Sequence, residues 1–568
     1  MNEPRPPSEL DVAIVGAGFA GLYALHRLRG LGFTCRAYET AADVGGVWYW
    51  NRYPGARCDV ESLQYSYSFS NELEQEWCWS ERYASQPEIL AYINHVADRF
   101  DLRRDIRFDI TIAAAHFDEA SDRWTVRTTS GETIVARFLV MASGGLSSAQ
   151  VPSFEGLDAF QGRWFHTGRW PHEPVDFGGR RVAVIGTGSS GIQTIPAIAR
   201  QAAHVTVFQR TPNFSIPGRN RQLAEEDQQA WKARYAEHRA RAREVGTLYE
   251  FSDRGAVQAS EAERVAEYER RWANGGVAFM HSFNDLMIDE ASNTTAAEFV
   301  RARIREKVRD PAVAEMLTPR DHPIGSKRIC VDTEYFETYN RDNVALIDVR
   351  RQPIERITAT GILTSGGEVE VDDIVFATGY DALTGALSAI DIRGVGGRTL
   401  TDKWAGGPRS YLGLMTEGFP NMFTVTGAGS PSVLVNMIVG IEQHVDWIGA
   451  CLAHLREHGY TRIDADAQAE QRWGDHVNAA ANRTLFPRAN SWYVGANIPG
   501  KPRQFMLYVQ KIGVYRRECD DVAAKDYEGF ELRTPGARTD FHAGEDPDLL
   551  ESRAKAGSKF PSGLTVFP

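Results

Sequence analysis

Two glycine-rich stretches of the chain have a spacing that suits the binding of nucleotide phosphates. "GAGFAG" runs from Gly16 to Gly21, and "GTGSSG" runs from Gly186 to Gly191. In a G-x-G-x-x-G turn the glycines permit a sharp bend, close approach of a pyrophosphate and tight packing of helix on strand. The phosphates then meet the free N–H groups at the start of the helix. The chain is therefore predicted to bind two dinucleotides, although a turn that serves packing alone is the alternative for either copy.

The residue that ends the strand after each glycine turn distinguishes the two predicted ligands. Glu39 holds this position after the first turn, and a carboxylate there accepts hydrogen bonds from a ribose diol. Gln209 stands at the same distance after the second turn, and Arg210 follows it. A carboxylate would repel a ribose 2′-phosphate, whereas an amide and a guanidinium would bind it. The first site therefore suits a nucleotide with a free diol, and the second suits NADP. A chain with FAD in the first site and NADPH in the second would be a flavoprotein reductase or oxygenase.

The cysteines do not supply a second redox centre. The chain has six, and none lies in a C-x-x-C pair or in a metal-ligand spacing. The sequence therefore predicts neither a disulfide reductase nor a metal site. A reduced flavin in this chain must pass its electrons elsewhere, and O₂ is the leading candidate.

The elements that must position these turns are two βαβ units. Residues 10–39 have the pattern of an apolar strand, the first turn, a helix with apolar residues at helical spacing and a second strand. Residues 181–210 repeat this order, and a further strand is expected at 372–380, "DDIVFATGY". These patterns predict an α/β fold with two Rossmann-like dinucleotide-binding domains and a helical insertion.

The two domains are expected to interleave along the chain. A stretch rich in Glu, Gln, Ala, Arg and Lys predicts the helical insertion, and a tail rich in Gly, Pro and charge predicts a terminal extension. The expected boundaries are 1–145 and 381–532 for the FAD-binding domain, 150–215 and 321–380 for the NADP-binding domain, 216–320 for the insertion, and 533–568 for the extension.

Composition limits the class of protein and its partners. The chain has 568 residues, of which 43% are hydrophobic, and a formal net charge of −12. A globular protein of several domains is expected, and its negative charge disfavours nucleic acid and anionic membranes as partners. The amino end has no pattern of a signal peptide, and no stretch is apolar enough to span a membrane. We expect a cytoplasmic enzyme that is a monomer, although the sequence does not exclude an oligomer.

The segment between the two glycine turns carries a family fingerprint. "FQGRWFHTGRWP" matches F-x-G-x-x-x-H-x-x-x-W-P through five residues, which are Phe160, Gly162, His166, Trp170 and Pro171. By this match the chain resembles the Baeyer–Villiger monooxygenases. It is also similar to them in "GGVWYWNRYPGARCDVESLQYSYSF", "IGSKRI", "GSPSVLVNM" and "NSWYVGANIPGKPR". The resemblance covers nearly all of the chain up to about residue 532.

The resemblance implies a reaction and a catalytic pair. The enzyme would use FAD, NADPH and O₂ to convert a small-molecule ketone to an ester or lactone through a C4a-peroxyflavin. Arg328, in "GSKRICVD", would stabilise the peroxide anion and the negative oxygen of its adduct with the ketone. Asp59, in "ARCDVES", would hold Arg328 in place. The alternatives from the residues alone are a surface arginine and an aspartate that caps a helix.

The resemblance also implies a set of binding residues. His166 and Trp170 would belong to a linker that changes arrangement as the nucleotide domain moves. The substrate-pocket loop would include Ser430, Ser432 and Leu434. The implied FAD contacts are Gly16, Gly18, Gly21, Glu39, Gly46, Val47, Trp48, Trp50, Asp59 and Tyr65; the implied NADP contacts are Arg57, Cys58, Gly186, Thr187, Gly188, Ser189, Ser190, Gly191, Gln209, Arg210, Lys327 and Trp492. Core packing is the alternative for the aromatic residues, and a solvated side chain is the alternative for Lys327.

Two other functions remain open from the sequence. A flavin monooxygenase that oxygenates nitrogen or sulfur would share both glycine turns, but it has no need of the Asp59 and Arg328 pair. A redox sensor without turnover would bind FAD and NADPH and show no ketone-dependent oxidation of NADPH. Product analysis with ketone, amine and thioether substrates distinguishes these cases.

Overall fold

The computed structural model describes residues 8–535. Most of the predicted C-terminal extension, from 536 onward, lies outside the described residues, as do residues 1–7. Between residues 8 and 535 the chain forms twenty strands and sixteen α-helices. The α/β class expected from the two βαβ patterns is confirmed.

The strands are distributed over the whole described chain. They are β1 (Ser8–Val15), β2 (Cys35–Tyr38), β3 (Ile106–Arg107), β4 (Ile112–Asp118), β5 (Arg123–Thr128), β6 (Thr133–Met141), β7 (Arg163–His166), β8 (Arg181–Ile185), β9 (His204–Gln209), β10 (Ser215–Pro217), β11 (Cys330–Asp332), β12 (Val344–Asp348), β13 (Ile354–Ile357), β14 (Gly361–Thr364), β15 (Gly367–Glu370), β16 (Asp373–Phe376), β17 (Asp391–Arg393), β18 (Met422–Thr424), β19 (Arg462–Ala465) and β20 (Phe530–Arg533).

The helices alternate with the strands and form a group in the middle of the chain. They are α1 (Phe19–Gly30), α2 (Val47–Trp50), α3 (Asn71–Glu76), α4 (Gln86–Arg99), α5 (Ser189–Ala199), α6 (Glu225–Lys232), α7 (Tyr235–Val245), α8 (Glu261–Asn274), α9 (Glu290–Lys307), α10 (Pro311–Leu317), α11 (Tyr335–Thr338), α12 (Gly385–Ser388), α13 (Leu400–Lys403), α14 (Met437–Glu457), α15 (Ala467–Ala481) and α16 (Ile512–Ala524).

The first sheet has eight strands and carries the first glycine turn. Its order is β17-β4-β5-β6-β1-β2-β3, and β18 pairs with β6. β1 lies between two parallel neighbours, β6 and β2. Val12 and Ile14 face one buried apolar cluster, and Ala13 faces another. Because both faces of β1 are covered, its sequence is a continuous apolar run and does not alternate with polar residues.

The second sheet is parallel throughout and carries the second glycine turn. Its order is β12-β9-β8-β16-β7. β16 occupies part of the strand expected at 372–380 and lies against β8. The strand order reverses between β8 and β16, which is the kind of point where open α/β sheets bind ligands. A Cβ on Gly186 would lie 2.4 Å from the Ala377 carbonyl oxygen, so the glycine turn closes against the end of β16.

The chain leaves the first sheet and later returns to it. The first sheet takes strands from residues 8–141 and then β17 and β18 from 391–424, whereas the second sheet takes its strands from 163–376. Two chain segments therefore join the sheets, at 142–162 and at 377–390. Side chains carried on both sheets can meet in the space between them.

Five helices, α6 to α10, form an insertion between β10 and β11, within the stretch expected at 216–320. Tyr268, Trp272 and Phe279 of this insertion are buried in the same apolar cluster as the second sheet. Arg239 of α7 reaches across to the first domain and pairs with Glu74 at 2.5 Å, and both side chains are buried. The insertion therefore contacts both nucleotide domains.

Candidate active site

The first glycine turn follows β1 and opens α1. Gly16 has φ of +105°, and a Cβ on Gly21 would lie 1.9 Å from the Gly16 carbonyl oxygen. A Cβ on Gly18 would lie 3.3 Å from the Cα of Gly46, so the segment at 45–46 covers this turn. No side chain caps α1, and its first N–H groups are available to an anion. The turn fits a bound pyrophosphate.

The carboxylate predicted to face a ribose lies at the end of β2. Glu39 is 6% exposed, and its two oxygens accept hydrogen bonds from the backbone N–H groups of Ala17 at 2.7 Å and Ala41 at 2.8 Å. Burial raises the pKa of Glu39, although backbone donors act in the opposite direction. Each oxygen has a second lone pair, so the carboxylate can still accept from a diol.

The aromatic residues expected around the flavin form a connected group. Val47, Trp48 and Trp50 lie on the short helix α2, directly after Gly46. Trp48 Nε1 donates to the Tyr65 hydroxyl at 3.2 Å. Burial raises the pKa of Tyr65, and Cys58, Asp59 and Arg328 are close enough to influence it. This aromatic group therefore extends from the first glycine turn towards the predicted catalytic pair.

The second glycine turn follows β8 and opens α5. Gly186 has φ of +110°, and a Cβ on Gly191 would lie 2.2 Å from the Gly186 carbonyl oxygen. A Cβ on Gly188 would meet no atom within 4 Å, so the front of this turn is open. The polar neighbours use their hydroxyls locally: Thr187 donates to the Thr211 carbonyl at 3.0 Å, Ser189 lies 3.5 Å from Cys330 Sγ, and Ser190 lies 3.0 Å from Thr167 Oγ1.

The residues expected at the 2′-phosphate lie at the end of β9 and in a neighbouring loop. Gln209 is buried and donates from Nε2 to the Met316 carbonyl of the insertion at 2.7 Å, so its amide has a structural partner. Arg210 is exposed. Burial lowers the pKa of Lys327, and nearby Arg210 lowers it further. Arg210 and Lys327 therefore lie close together, whereas Gln209 is turned into the protein.

The fingerprint segment lies on the edge strand β7 and the turn after it. A Cβ on Gly162 would lie 2.3 Å from the Asp372 carbonyl oxygen and 2.5 Å from the Phe160 ring, which explains the glycine. Trp170, which Pro171 follows, is buried against Phe165. The Trp170 backbone N–H donates to the Trp50 carbonyl at 3.2 Å, so the fingerprint touches the first domain directly.

His166 is buried at the end of β7, the strand that follows the first joining segment. Its Nδ1 accepts from the Gly168 N–H at 2.9 Å, and its Nε2 lies 3.3 Å from the Thr378 hydroxyl. Thr378 Oγ1 donates to the Gln150 carbonyl at 2.5 Å. Burial lowers the pKa of His166 to about 4, so the imidazole is neutral at pH 7. Thr378 thus bonds one joining segment to the other, and His166 contacts it from β7.

Arg328 and Asp59 meet between the two glycine turns. Arg328 Nε and Nη2 donate to the two oxygens of Asp59, at 2.9 and 2.7 Å, in a bidentate ion pair. Nη1 donates to the Val433 carbonyl at 2.8 Å. Burial lowers the pKa of Arg328, but the Asp59 carboxylate outweighs it and leaves the pKa above its ordinary value. Asp59 begins no helix in this structure, so it is not a helix cap.

Two groups beside Arg328 were not predicted from the sequence. One is the Val433 carbonyl, a backbone group that no residue type announces. The other is Tyr493, which is buried next to the half-buried Trp492. Burial raises the pKa of Tyr493 to about 12, and Arg328 opposes this shift. The sequence signal for each was its place in a stretch that resembles the family, "GSPSVLVNM" for Val433 and "NSWYVGANIPGKPR" for Tyr493.

The residues expected to line the substrate pocket surround Val433. Ser430 is buried, and its hydroxyl donates to the Gly427 carbonyl at 2.7 Å. Ser432 has φ of +43°, and its buried hydroxyl has no hydrogen-bond partner among the described residues. Leu434 is half buried. Of the three, Ser430 has a structural partner for its side chain.

Arg57 and Cys58 lie where the two domains touch. The Gln193 side chain on α5 accepts from the Arg57 N–H at 3.3 Å and donates to the Arg57 carbonyl at 3.0 Å. The Arg57 guanidinium contacts the Glu81 carboxylate and the Tyr83 carbonyl. Cys58 is buried, and burial raises the pKa of its thiol. Arg57 therefore has protein partners for both backbone and side chain.

All six cysteines are free thiols, and only Cys78 is exposed. Within residues 8–535 no group of three or more His, Cys, Asp or Glu side chains is placed to hold a metal ion. Over the same residues, no helix has the length and apolar character needed to cross a membrane.

Comparison with known proteins defines the family. The model of the Flavin-binding monooxygenase-like family matches residues 9–221. A Baeyer–Villiger monooxygenase of Pseudooceanicola batsensis is 43% identical over 532 residues, which are 93% of this chain and 97% of that protein. A solved structure of a steroid monooxygenase bound to NADP is 54% identical, with a TM-score of 0.89, and covers 93% of this chain and all of that one. The chain belongs to the Baeyer–Villiger monooxygenase family.

A third relative is named for a different activity. The phenazine N-monooxygenase PhzNO1 of Lysobacter antibioticus is 41% identical over 533 residues, which are 93% of this chain and 98% of that protein. As a Baeyer–Villiger monooxygenase, this protein is an FAD-dependent enzyme that uses NADPH, and the cofactors expected from the two glycine turns are confirmed. The geometry of both turns fits these cofactors.

Proposed function

We propose that this Baeyer–Villiger monooxygenase converts ketones to esters or lactones at the Arg328 and Asp59 pair, with consumption of NADPH and O₂. The pair's position carries the proposal. Tyr65 lies near the pair and packs against Phe19 of the first glycine turn, and Cys330, two residues after Arg328, contacts Ser189 of the second turn. A flavin and a nicotinamide that extend from the two turns would meet beside this guanidinium.

The first glycine turn, Glu39 and the aromatic group around Trp48 would hold FAD, and the second turn would hold NADP. When bound, FAD reduced by NADPH activates O₂ for insertion next to a carbonyl carbon. The balanced reaction is ketone, NADPH, a proton and O₂ to ester, NADP⁺ and water. The residues of this chain bind and orient the reactants and stabilise charge.

Arg328 has the donors needed to stabilise negative oxygen. A guanidinium carries five N–H groups, and three of them bond to Asp59 and Val433. The Tyr493 hydroxyl can accept one more, so at least one N–H is free to donate to a reacting oxygen. Because the raised pKa keeps the group charged, Arg328 stabilises developing negative charge without releasing a proton.

Asp59 would fix the direction of this guanidinium. The bidentate bond holds the Nε–Nη2 edge of the guanidinium, and the Val433 carbonyl accepts from Nη1. An arginine that is oriented before the reaction loses little freedom in the transition state. We infer that Asp59 is a positioning residue and that the 430–434 segment borders the ketone through Val433.

The other proposed roles concern NADP binding and the fingerprint segment between the two domains. Arg210 and Lys327 would bind the 2′-phosphate, and Trp492 would face the nicotinamide end. The fingerprint segment would transmit movement between domains, since it is bonded to Trp50 on one side and to Thr378 on the other. His166 would act there as a neutral structural group.

A second candidate is oxygenation of a nitrogen heterocycle. It is favoured by the similarity to the phenazine N-monooxygenase. That protein is 41% identical to this chain, and the Baeyer–Villiger monooxygenase of Pseudooceanicola batsensis is 43% identical. Incubation of the holoenzyme with NADPH, ¹⁸O₂ and, separately, an aryl ketone, a steroid ketone and a phenazine tests both. Labelled ester from a ketone supports the proposal. N-oxide as the only labelled product would contradict it.

A further inference from the structure

A cavity of about 460 Å³ opens beside the proposed 2′-phosphate site. It lies at the carboxyl ends of β9 and β12, where the register places Asp348 opposite Gln209. Pro212, from the turn after β9, and Arg350, from the turn after β12, both line it. β12 thus ends beside β9, the strand whose end is expected to face the phosphate.

Arg350 is held at the mouth of this cavity by the turn after β12. Asp348 Oδ1 accepts from the Arg350 backbone N–H at 3.0 Å and from its Nε at 3.2 Å, and Oδ2 accepts from Nη2 at 3.3 Å. The Asp348 side chain is 8% exposed, whereas that of Arg350 is 50% exposed. The carboxylate anchors the Nε–Nη2 edge of the guanidinium, and Arg350 is one of the residues that line the cavity.

Three arginines and three carboxylates line the cavity, and Arg210 and Lys327 add two further positive charges beside it. Burial lowers the pKa of Lys327, Asp321 opposes this, and Arg210 and Arg350 lower it further, so three cationic groups lie near one another. Asp321 bonds to His322 at 2.7 Å, and Asp348 bonds to Arg350. Among residues 8–535 neither Arg210 nor Lys327 forms an ion pair within 4 Å of a carboxylate, although Asp321 is close enough to raise the pKa of Lys327. A phosphate carries about −1.5 to −2 charges at pH 7 and would relieve this repulsion.

We propose that Arg350 is a third binding group for the ribose 2′-phosphate of NADPH and a determinant of its selection over NADH. This inference rests on the proposed placement of that phosphate at Arg210 and Lys327. Arg350 approaches it from β12, across the cavity from the end of β9. A free edge of a guanidinium that is already anchored by a carboxylate suits two phosphate oxygens at once.

Binding of NADP⁺ and NAD⁺ to the oxidised holoenzyme tests the proposal by calorimetry. Arg350→Ala should weaken NADP⁺ about tenfold, the lower end for a charge-assisted hydrogen bond at a half-exposed site, and leave NAD⁺ unchanged. Arg350→Lys should retain part of the NADP⁺ affinity because it keeps the charge. Arg341→Ala, which removes an exposed arginine just before the opposite end of β12, should change neither affinity.

Three results would overturn the assignment. Equal loss of NADP⁺ and NAD⁺ affinity in Arg350→Ala would place the residue against a part that both coenzymes share. Unchanged binding of both would remove it from the site, and an equal effect of Arg341→Ala would reduce the result to overall charge. Continued formation of ester by these variants would show that the proposed function stands even where this inference fails.

Discussion

The two nucleotide-binding turns share a backbone and differ in what surrounds it. Gly16 and Gly186 have φ of +105° and +110°, and a Cβ on Gly21 or Gly191 would collide with the turn in the same way. Gly18, however, lies under the 45–46 segment, whereas nothing stands within 4 Å of a Cβ on Gly188. One turn is covered and the other is open. We interpret this as the difference between a cofactor that stays bound and a coenzyme that exchanges.

The side chains after the turns differ in the same sense. Glu39 is buried and held by two backbone donors, which suits permanent enclosure of a ribose diol. Arg210 is exposed and has no carboxylate partner in the described chain, which suits a charged ligand that arrives and leaves. The glycine turn therefore makes a nucleotide site, while the next strand and the covering segment determine which nucleotide binds and for how long.

The largest expected effect comes from filling the covered turn. Gly21→Ala would place a Cβ 1.9 Å from a backbone oxygen and should cost about 3 kcal/mol and most of the bound flavin. Flavin absorbance of the purified protein and its Tm measure both losses. Gly30→Ala, at the end of the same helix where a Cβ meets nothing within 4 Å, is the matched control and should retain flavin. Equal flavin loss in the two variants would refute the steric argument.

The stability of the protein is expected to depend on pH through His166, in the fingerprint segment between the two domains. An unfolded histidine takes up a proton below about pH 6.5, whereas folded His166 resists it down to about pH 4. Stability from this group is therefore present at neutral pH and lost as pH falls from 6.5 towards 4, by about 3 kcal/mol. His166→Gln should show a shallower fall of Tm over that range. Parallel Tm profiles for the two proteins would contradict the assignment.

Arg210→Ala tests the open site. Loss of a charge-assisted contact should weaken NADPH by about 1.5 to 3 kcal/mol and leave NADH unaffected, so the preference for NADPH falls. Steady-state kinetics with both coenzymes measures this. An unchanged preference would show that Arg210 does not contact the 2′-phosphate.

The smallest expected effect comes from Gly188→Ala. The added methyl group has room in the protein and intrudes only on a bound pyrophosphate, so Tm and flavin content should stay constant. NADPH affinity should fall by about 1 kcal/mol. Gly18→Ala, the equivalent change at the covered turn, should instead lower flavin content. Identical behaviour of the two variants would remove the contrast between covered and open turns.

What sequence could predict follows from how local each signal is. The βαβ units and both cofactors were predictable because glycine spacing and apolar runs lie within about thirty residues. The partner of Gln209 was not, because Met316 contributes a carbonyl from the insertion. The Val433 carbonyl was not predictable either, since backbone groups have no sequence signature. β17 and β18, with three residues each, are too short for a periodicity to show that the chain returns to the first sheet.

The pairing of Arg328 with Asp59 is a different case. The two residues are far apart in the chain, and neither stands in a pattern whose spacing alone brings them together. Family resemblance supplied that expectation, and the structure shows the two side chains in a bidentate ion pair.

The most direct test of the central claim compares wild type with Arg328→Ala and Arg328→Lys. NADPH oxidation in the reductive step and ester formed per NADPH are measured with the same ketone. We expect Arg328→Ala to be reduced by NADPH near the wild-type rate and to form ester at least about a hundredfold more slowly, with little recovery in Arg328→Lys because the lysine lacks the fork. Ester formation by Arg328→Ala near the wild-type rate would contradict the account.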